Sequence, residues 1–595
     1  MSHINRAIPV AAALAVFVFM TASGRGATPK FLPDDPIATT IDSQDASGVT
    51  EREIDLVYDT LENLLSKPGD TTPNVRAQNV NTIDEVPDSS WFTNRIGVQP
   101  MTVDELLKGP DTTTGPAAGQ WTVISTKIDG VTPGFVIRDS NGQVWFIKFD
   151  PPGYRALATG TEVVVTKLMW ALGYHVPEVH IARLDPKQLT IGDKASISRN
   201  GRKRSMKRSD IRAALDKAHR DPDGAYRVIA SKALEGQPVG GFRFYGTRSD
   251  DPNDVIDHEH RRELRAYGTF AAWFNHVDSK SINTLDTLID RDGRKIVRHH
   301  ILDFGSTIGS AGVYPREAYE GHEYLIEGKK ALAGIPTFGF YIKDWRTAPR
   351  YRSTTVGSFP SDNATWDPEE WKPRYANSAF RAARMDDKFW AALRLQHFTS
   401  DMLNALPRVG QFDDPPSEAA LAKFLIERRD AIVRRYLPAV NPVVDVQLTD
   451  GNRLTFRNAA VDADDAGLPM EYVVTWLRFD NATGAATPIG TTRSAGSRTS
   501  VPVPIDLPSD NGVYIRAELA AMGGPDSWSA PVHAYFLRER GNWKLVGFER
   551  VPGGNAPHSG ARRITDARPP AGERVSTFEA RIADAIERNR AGRRR

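Results

Sequence analysis

Cysteine is absent from all 595 residues. That excludes disulfides, thiol catalysis and zinc–thiolate centres, and it leaves no N-terminal cysteine for lipid attachment. An excess of one charge is also missing. The 76 Lys+Arg against 74 Asp+Glu leave a formal net charge of +2, which makes no global case for nucleic-acid or membrane-surface binding. A run long enough to span a bilayer comfortably is lacking too. Ile8 to Met20 is apolar, follows Arg6 and precedes the small residues Ala22, Ser23 and Gly24. It falls short of the roughly 20 residues a spanning helix needs. The pattern predicts a secretory signal over 1–27, with an uncleaved anchor as the other reading. Both readings export the rest of the chain, to the periplasm or beyond, possible tethering by an uncleaved signal included.

What the chain does contain is a set of polar residues at fixed offsets. His276-Val277-Asp278-Ser279-Lys280-Ser281-Ile282-Asn283 puts a carboxylate, an ammonium and an amide in one short stretch. Asp303-Phe304-Gly305 follows, entered from the apolar Ile301 and Leu302. Phosphoryl transfer uses such a set: a carboxylate to orient the attacking hydroxyl, a lysine to offset charge on the moving group, an amide and a second carboxylate for metal ions. The plainer alternative is a polar turn after a helix, then a strand end. Upstream, Lys148 stands in Trp145-Phe146-Ile147-Lys148-Phe149. A lysine in such a strand is buried only if paired, and Glu162 on the following helix is a fitting partner. The alternative leaves Lys148 in solvent and makes Glu162 the end of a capping box, Thr159-Gly160-Thr161-Glu162.

The order of these motifs resembles that of protein kinases. The spacing His-x-Asp-x-Lys-x-x-Asn is similar to their catalytic loop, and Asp303-Phe304-Gly305 matches their metal-binding triplet. Residues from about 121 to 437 look like a protein-kinase-like fold, closer to the divergent HipA-type kinases. Pro133-Gly134-Phe135-Val136, Asp139-Ser140-Asn141-Gly142, the Lys148 strand and Leu172-Gly173-Tyr174-His175-Val176-Pro177-Glu178 carry that likeness. The resemblance implies a phosphotransferase using ATP and Mg²⁺. In it, Asp278 orients or deprotonates an acceptor hydroxyl and Lys280 neutralises the transferring phosphoryl. Lys148, held by Glu162, touches the nucleotide phosphates. Asn283 and Asp303 bind Mg²⁺, His276 braces the loop from below, and Ala233 to Gly241 occupies the interlobe hinge. Three departures stand beside it. Gly130, Pro133 and Gly134 are a poor substitute for a Gly-rich phosphate loop, Val277 replaces an arginine, and no Ala-Pro-Glu-like anchor follows Gly305. An exported chain also meets little ATP. A non-catalytic kinase-like scaffold of the cell envelope is therefore the rival reading. The acceptor is an unassigned protein, glycan or small molecule.

The fold expectation is α+β: a two-lobed kinase-like fold followed by an all-β sandwich of immunoglobulin or fibronectin style. After the signal, residues 28–120 form an extension with helices. Thr28 to Val49 reads as a loose lead-in, Glu51 to Leu65 as a helix with Ile54, Val57, Tyr58, Leu61, Leu64 and Leu65 on one face, and Thr102-Val103-Asp104-Glu105 as a capping box. The N-lobe spans 121–232, with a basic insertion at 185–224 whose run from Arg199 to Arg208 reads as a solvated loop and whose helix, Asp210 to Ala218, is capped by Ser209. The C-lobe spans 233–437 and is helical, with helices over Asp257–Asn275, Asp387–Phe398, Asp401–Leu406 and Glu418–Leu437. Pro438 to Pro442 reads as a linker. Strands recur from 443 to 550, with Trp476 and Trp543 as core residues and an Asp450-Gly451 turn. Residues 551–595 are an Arg-rich tail. That tail or the β-domain is where an envelope polymer would make contact.

Overall fold

The computed structural model describes residues 29–127, 133–199, 202–324, 344–449 and 453–555. The chain is α+β, with helices and several separate sheets. The expected signal, Gly130, the Asp450-Gly451 turn and the tail beyond 555 lie outside the described residues. No helix among the described residues is long and apolar enough to cross a membrane.

The lead-in is packed rather than loose. Phe31 is buried beside Phe479 and Tyr535, with ring centroids 6.0 and 5.1 Å away, while Ala46 and Val49 join Val239, Leu288 and Val297 in a second small core. A few apolar anchors outweigh a polar composition here. Helix α1 (Leu56–Leu65) starts later than its periodicity predicts because Asp55 caps it, accepting from the Tyr58 amide. Its apolar side is also not its inner side. Val57, Tyr58, Leu61 and Leu65 are exposed, and the buried residues are Asp59 and Asn63. Polar partners decide this: Ser281 Oγ donates to Asp59, and Tyr245 donates to Glu62 at 2.5 Å. Helix α2 (Val103–Lys108) carries the expected capping box, with Thr102 and Glu105 bonding reciprocally.

Seven strands form the first sheet. They are β1 (Trp121–Lys127), β2 (Gly134–Arg138) and β3 (Val144–Phe149), then after helix α3 (Leu157–Leu172) β4 (Val179–Leu184), β5 (Leu189–Arg199), β6 (Arg202–Ser205) and, after helix α4 (Arg208–Leu215), β7 (Tyr226–Lys232). Their order is β4-β7-β3-β2-β1-β5-β6. The basic insertion is thus largely part of the sheet: β5 pairs parallel with β1, and β6 antiparallel with β5. Its Ala195, Ile197, Met206, Ile211 and Leu215 are buried with Trp121 and Phe135. Arg204 pairs with Asp210 at 2.7 Å, and Asp210, not Ser209, holds the helix start by accepting from the Lys207 amide.

A second sheet joins β8 (Gln237–Pro238), β9 (Thr284–Arg291) and β10 (Arg294–Ile301) in the order β10-β9-β8. Between β8 and β9 the chain makes helix α5 (Arg262–Trp273), packed against the helices Ser378–Ala382, Met385–Leu395 and Pro415–Tyr436. The last of these buries Leu421, Phe424, Leu425, Ile432 and Tyr436, its expected inner face. The charged start of α5 is buried too. Arg262 reaches Asp387 at 3.0 Å and Asp84 at 3.1 Å, and Arg265 reaches Asp387 at 3.1 Å. That network ties the extension, α5 and the Met385–Leu395 helix together.

The C-terminal strands form two antiparallel sheets. Val443–Thr449, Arg453–Asn458 and Ser500–Pro502 make one of three strands, while Glu471–Phe479, Ala486–Ala495, Tyr514–Met522, Val532–Glu539 and Asn542–Glu549 make one of five. Phe456 of the first meets Tyr472 of the second edge-on at 4.7 Å. Trp476 is fully buried and donates to Thr492. The strand Ala486–Ala495 lacks an alternating apolar face, so periodicity does not reveal it. The expected linker is a buried clasp: Asn441 Nδ2 donates to the carbonyls of Leu519, Trp528 and Ala530, and Arg550 lies over the Phe389 ring at 4.0 Å.

Candidate functional site

Strand alternation sets the first half of the site. Trp145, Ile147 and Phe149 of β3 enter the core on one face of the sheet, so Lys148 falls on the other. Helix α3 lies there and is held by the residue that ends the strand. Asp150 is buried and accepts from the amides of Ala156, Ala158 and Thr159 at 2.8–3.0 Å and from the Thr159 hydroxyl at 2.7 Å. The expected capping box at 159–162 is therefore replaced: α3 begins at Leu157, and Asp150 does the capping. Glu162 is left on the second turn, 4% exposed. Lys148 Nζ stands 3.2 Å from Glu162 and 2.9 Å from Asp303. Although burial opposes its charge, Asp303 and Glu162 hold the Lys148 ammonium above the ordinary lysine range. Burial pushes the Glu162 carboxyl up against the pull of Lys148, and the charge of Asp303 adds to the push.

Helix α5 delivers the second half. Its last turn is buried through Phe270, Ala271, Ala272 and Trp273, and Asn275 ends it at φ +52°. His276 is wholly buried, shares a 2.7 Å hydrogen bond with Tyr267 through Nδ1, and packs on Phe304 at 5.6 Å. Burial lowers its pKa to about 4. It is thus a neutral brace under the loop. Asp278 lies 2.6 Å from Lys280 Nζ. Asn283 donates its amide to the Asp278 carbonyl at 2.8 Å, and its own carbonyl accepts from Leu302 at 2.9 Å. That last bond sets the loop beside the segment that carries Asp303. Asp303 sits at φ +64°, a left-handed conformation uncommon outside glycine, and its side chain is half exposed.

The structure therefore groups the six residues as two touching sets, Lys148–Glu162–Asp303 and Asp278–Lys280–Asn283, bridged by the Leu302–Asn283 backbone bond. Three neighbours escape sequence reasoning. Arg374 lies 3.9 Å from Asp278, its amide bonded to Val277. Asp59 of α1 accepts from Ser281, and burial pushes its carboxyl up. Arg316 donates to the Ser306 and Ser310 carbonyls just after Asp303. None stands in a motif; Arg374 and Asp59 are brought in from distant segments, and Arg316 folds back onto the chain that follows Asp303. Asp150 also went unread in the sequence, although an acid at a strand end before a helix is the signal that would have found it.

The oxygen-donor set fits a hard divalent cation. Asn283 spends its amide nitrogen on Asp278, and among the described residues no hydrogen bond engages its Oδ1. Asp303 offers a half-exposed carboxylate.

Buried histidines give the protein an acid limit. His276 and His300 both have pKa values lowered to about 4, chiefly by burial. Unfolded histidines bind protons near pH 6.5. The unfolded state therefore takes up more protons as pH falls from about 6.5 to about 4, and stability falls with it. His258, raised by its Asp254 partner against the cost of burial, acts in the opposite sense. Denaturant titration across that range is expected to show a net loss, reduced in His300→Gln.

Comparison with protein-family models, with curated proteins and with solved structures found no match.

Proposed function

We propose that this chain is an exported kinase-like phosphotransferase that moves a phosphoryl group from Mg²⁺·ATP to a hydroxyl acceptor. One observation carries the reading: the contact of Lys148 with both Glu162 and Asp303, residues far apart in sequence, beside a loop that clusters Asp278, Lys280 and Asn283. A two-lobed kinase-like architecture is supported by the β3–α3 unit, the crossing from β7 to β8 and the loop that α5 presents. An immunoglobulin-like reading of the C-terminal part is supported by its three- and five-stranded antiparallel sheets.

In this reading Asp278 accepts the proton of the acceptor hydroxyl, and Lys280, 2.6 Å away, sets an ammonium beside that carboxylate and close to the transferring charge. Lys148 holds donor phosphate oxygens, with Glu162 fixing its ammonium. Asn283 and Asp303 would hold the Mg²⁺, which supplies charge neutralisation at the phosphates. Export is proposed from the apolar run near the N-terminus.

Thermal unfolding with and without Mg²⁺·ATP tests this. A ligand at 100 times its Kd adds about 2.7 kcal/mol to folding stability. Wild type is expected to gain a Tm shift of several degrees that vanishes in Asp303→Ala. A folded wild type that shows no shift at millimolar nucleotide would overturn the ATP-dependent reading in favour of a non-catalytic scaffold.

A further inference from the structure

A cavity of about 540 Å³ opens between Tyr154, on the turn from β3 to α3, and the hairpin Arg350–Ser353/Gly357–Pro360. Arg316, Arg350 and Arg352 line it. The charge there is unbalanced. Arg350 donates to the Ser358 hydroxyl at 2.9 Å, the Ser358 carbonyl at 2.8 Å and the Arg316 carbonyl at 3.4 Å, none of them an anion. Arg352 is exposed and forms no ion pair or side-chain hydrogen bond among the described residues. Among the described residues the one carboxylate that Arg316 pairs with is Glu320, at 3.5 Å. Behind the wall, Arg428 is buried against Trp366 and Phe424 and donates to Asn363 and the Ala272 carbonyl, with no carboxylate among its described partners. Among the described residues the one carboxylate lining the cavity is the exposed Glu317. Burial and the neighbouring Arg352 and Arg316 charges push Arg350 down to about 10, and burial with Arg350 and Arg316 pushes Arg428 down to about 9. Arginines that outnumber the neighbouring carboxylates Glu317 and Glu320 create a positive field that a bound anion relieves.

The cavity adjoins the candidate site. Arg316 is bonded to the segment just after Asp303, and Asp278 acts on its charge. Tyr154 follows Lys148 on the same strand–turn unit. The volume lies within the range of small-ligand sites, and arginine forks suit the oxygen atoms of tetrahedral anions. We propose, resting on the phosphotransferase reading, that this cavity holds a phosphate or sulfate ester carried by the acceptor, so that the acceptor is an anionic molecule.

Calorimetric titration of the full chain with inorganic phosphate, and separately with sulfate, at constant ionic strength tests the site. Wild type is expected to bind at least one of the two ions. Arg352→Gln and Arg350→Gln are each expected to weaken that binding by about tenfold or more, as loss of a charge-assisted hydrogen bond does. Arg350 also braces the hairpin, so Arg352→Gln, exposed and outside that bracing, is the decisive variant. Asp303→Ala is expected to keep the anion binding while losing the Mg²⁺·ATP shift. No binding of either ion by wild type, or equal binding by wild type and Arg352→Gln, overturns the inference. If that happens while the Mg²⁺·ATP shift persists, the anion site alone has failed. Anion binding without any Mg²⁺·ATP shift in wild type overturns its assignment to an acceptor.

Discussion

Asp387→Ala is expected to cost about 3–5 kcal/mol of folding stability, the range for removing one partner of a buried ion pair. Asp387 is fully buried and serves two arginines at once, Arg262 at 3.0 Å and Arg265 at 3.1 Å, and it also accepts from the Arg384 amide at the start of its own helix. Burial opposes its charge, yet Arg265 and Arg262 hold its carboxyl below the usual carboxylate range. Its alanine variant leaves Arg265 with two carbonyls and a histidine nitrogen but no anion. Asp386, one residue away, provides the control. Burial and the charge of Asp387 push its carboxyl up; it lies 3.5 Å from Arg262 and accepts from Arg384 Nε at 3.1 Å, a bond the asparagine oxygen can keep. Asp386→Asn is expected to cost about 1 kcal/mol or less. Urea denaturation of the two variants checks both values, and comparable losses would contradict this division of labour. Because Asp387 braces α5, whose far end delivers residues 276–283, its loss is also expected to loosen the candidate site.

Asp278→Asn is expected to lower kcat for phosphoryl transfer by about 10²–10⁴, the usual contribution of a positioned general base, once an acceptor is in hand. The amide keeps the shape and cannot take a proton. It also leaves Lys280 without its 2.6 Å counter-charge. Nucleotide affinity should change little, because Lys148, Glu162 and Asp303 form their own contacts. The discriminating result is a large fall in kcat beside an unchanged Mg²⁺·ATP thermal shift. Loss of the thermal shift in Asp278→Asn would instead give Asp278 a part in holding the nucleotide and metal. Unchanged kcat would remove it from the chemistry.

The local parts of this molecule were legible because local rules produce them. Period-two alternation through Trp145, Ile147 and Phe149 marks β3, the Thr102–Glu105 pair starts α2, and Leu421, Phe424, Leu425, Ile432 and Tyr436 define the inner face of a long helix. Where such rules failed, a distant partner had outweighed them. The exposed apolar side of α1 follows from polar contacts of Asp59 and Glu62 with Ser281 and Tyr245, residues on other elements. The start of α3 moved to Leu157 because Asp150 satisfies its open amides from outside the helix. The basic insertion joined the sheet because Ala195 and Ile197 had a core to enter with Trp121 and Phe135.

By itself the sequence determined the α+β composition, the positions of most strands and helices, and the residue types of the candidate site, since these rest on spacing and side-chain chemistry within short stretches. Only the tertiary structure decided that Lys148 meets both Glu162 and Asp303, that Arg374, Arg316 and Asp59 border the loop, that Phe31, Ala46 and Val49 anchor the lead-in and Val440 and Asn441 are buried, and that Arg316, Arg350 and Arg352 gather in one cavity. The contacts Lys148–Asp303 and Ser281–Asp59 join residues 155 and 222 positions apart. They arise from tertiary packing and ion pairing, which no local pattern encodes.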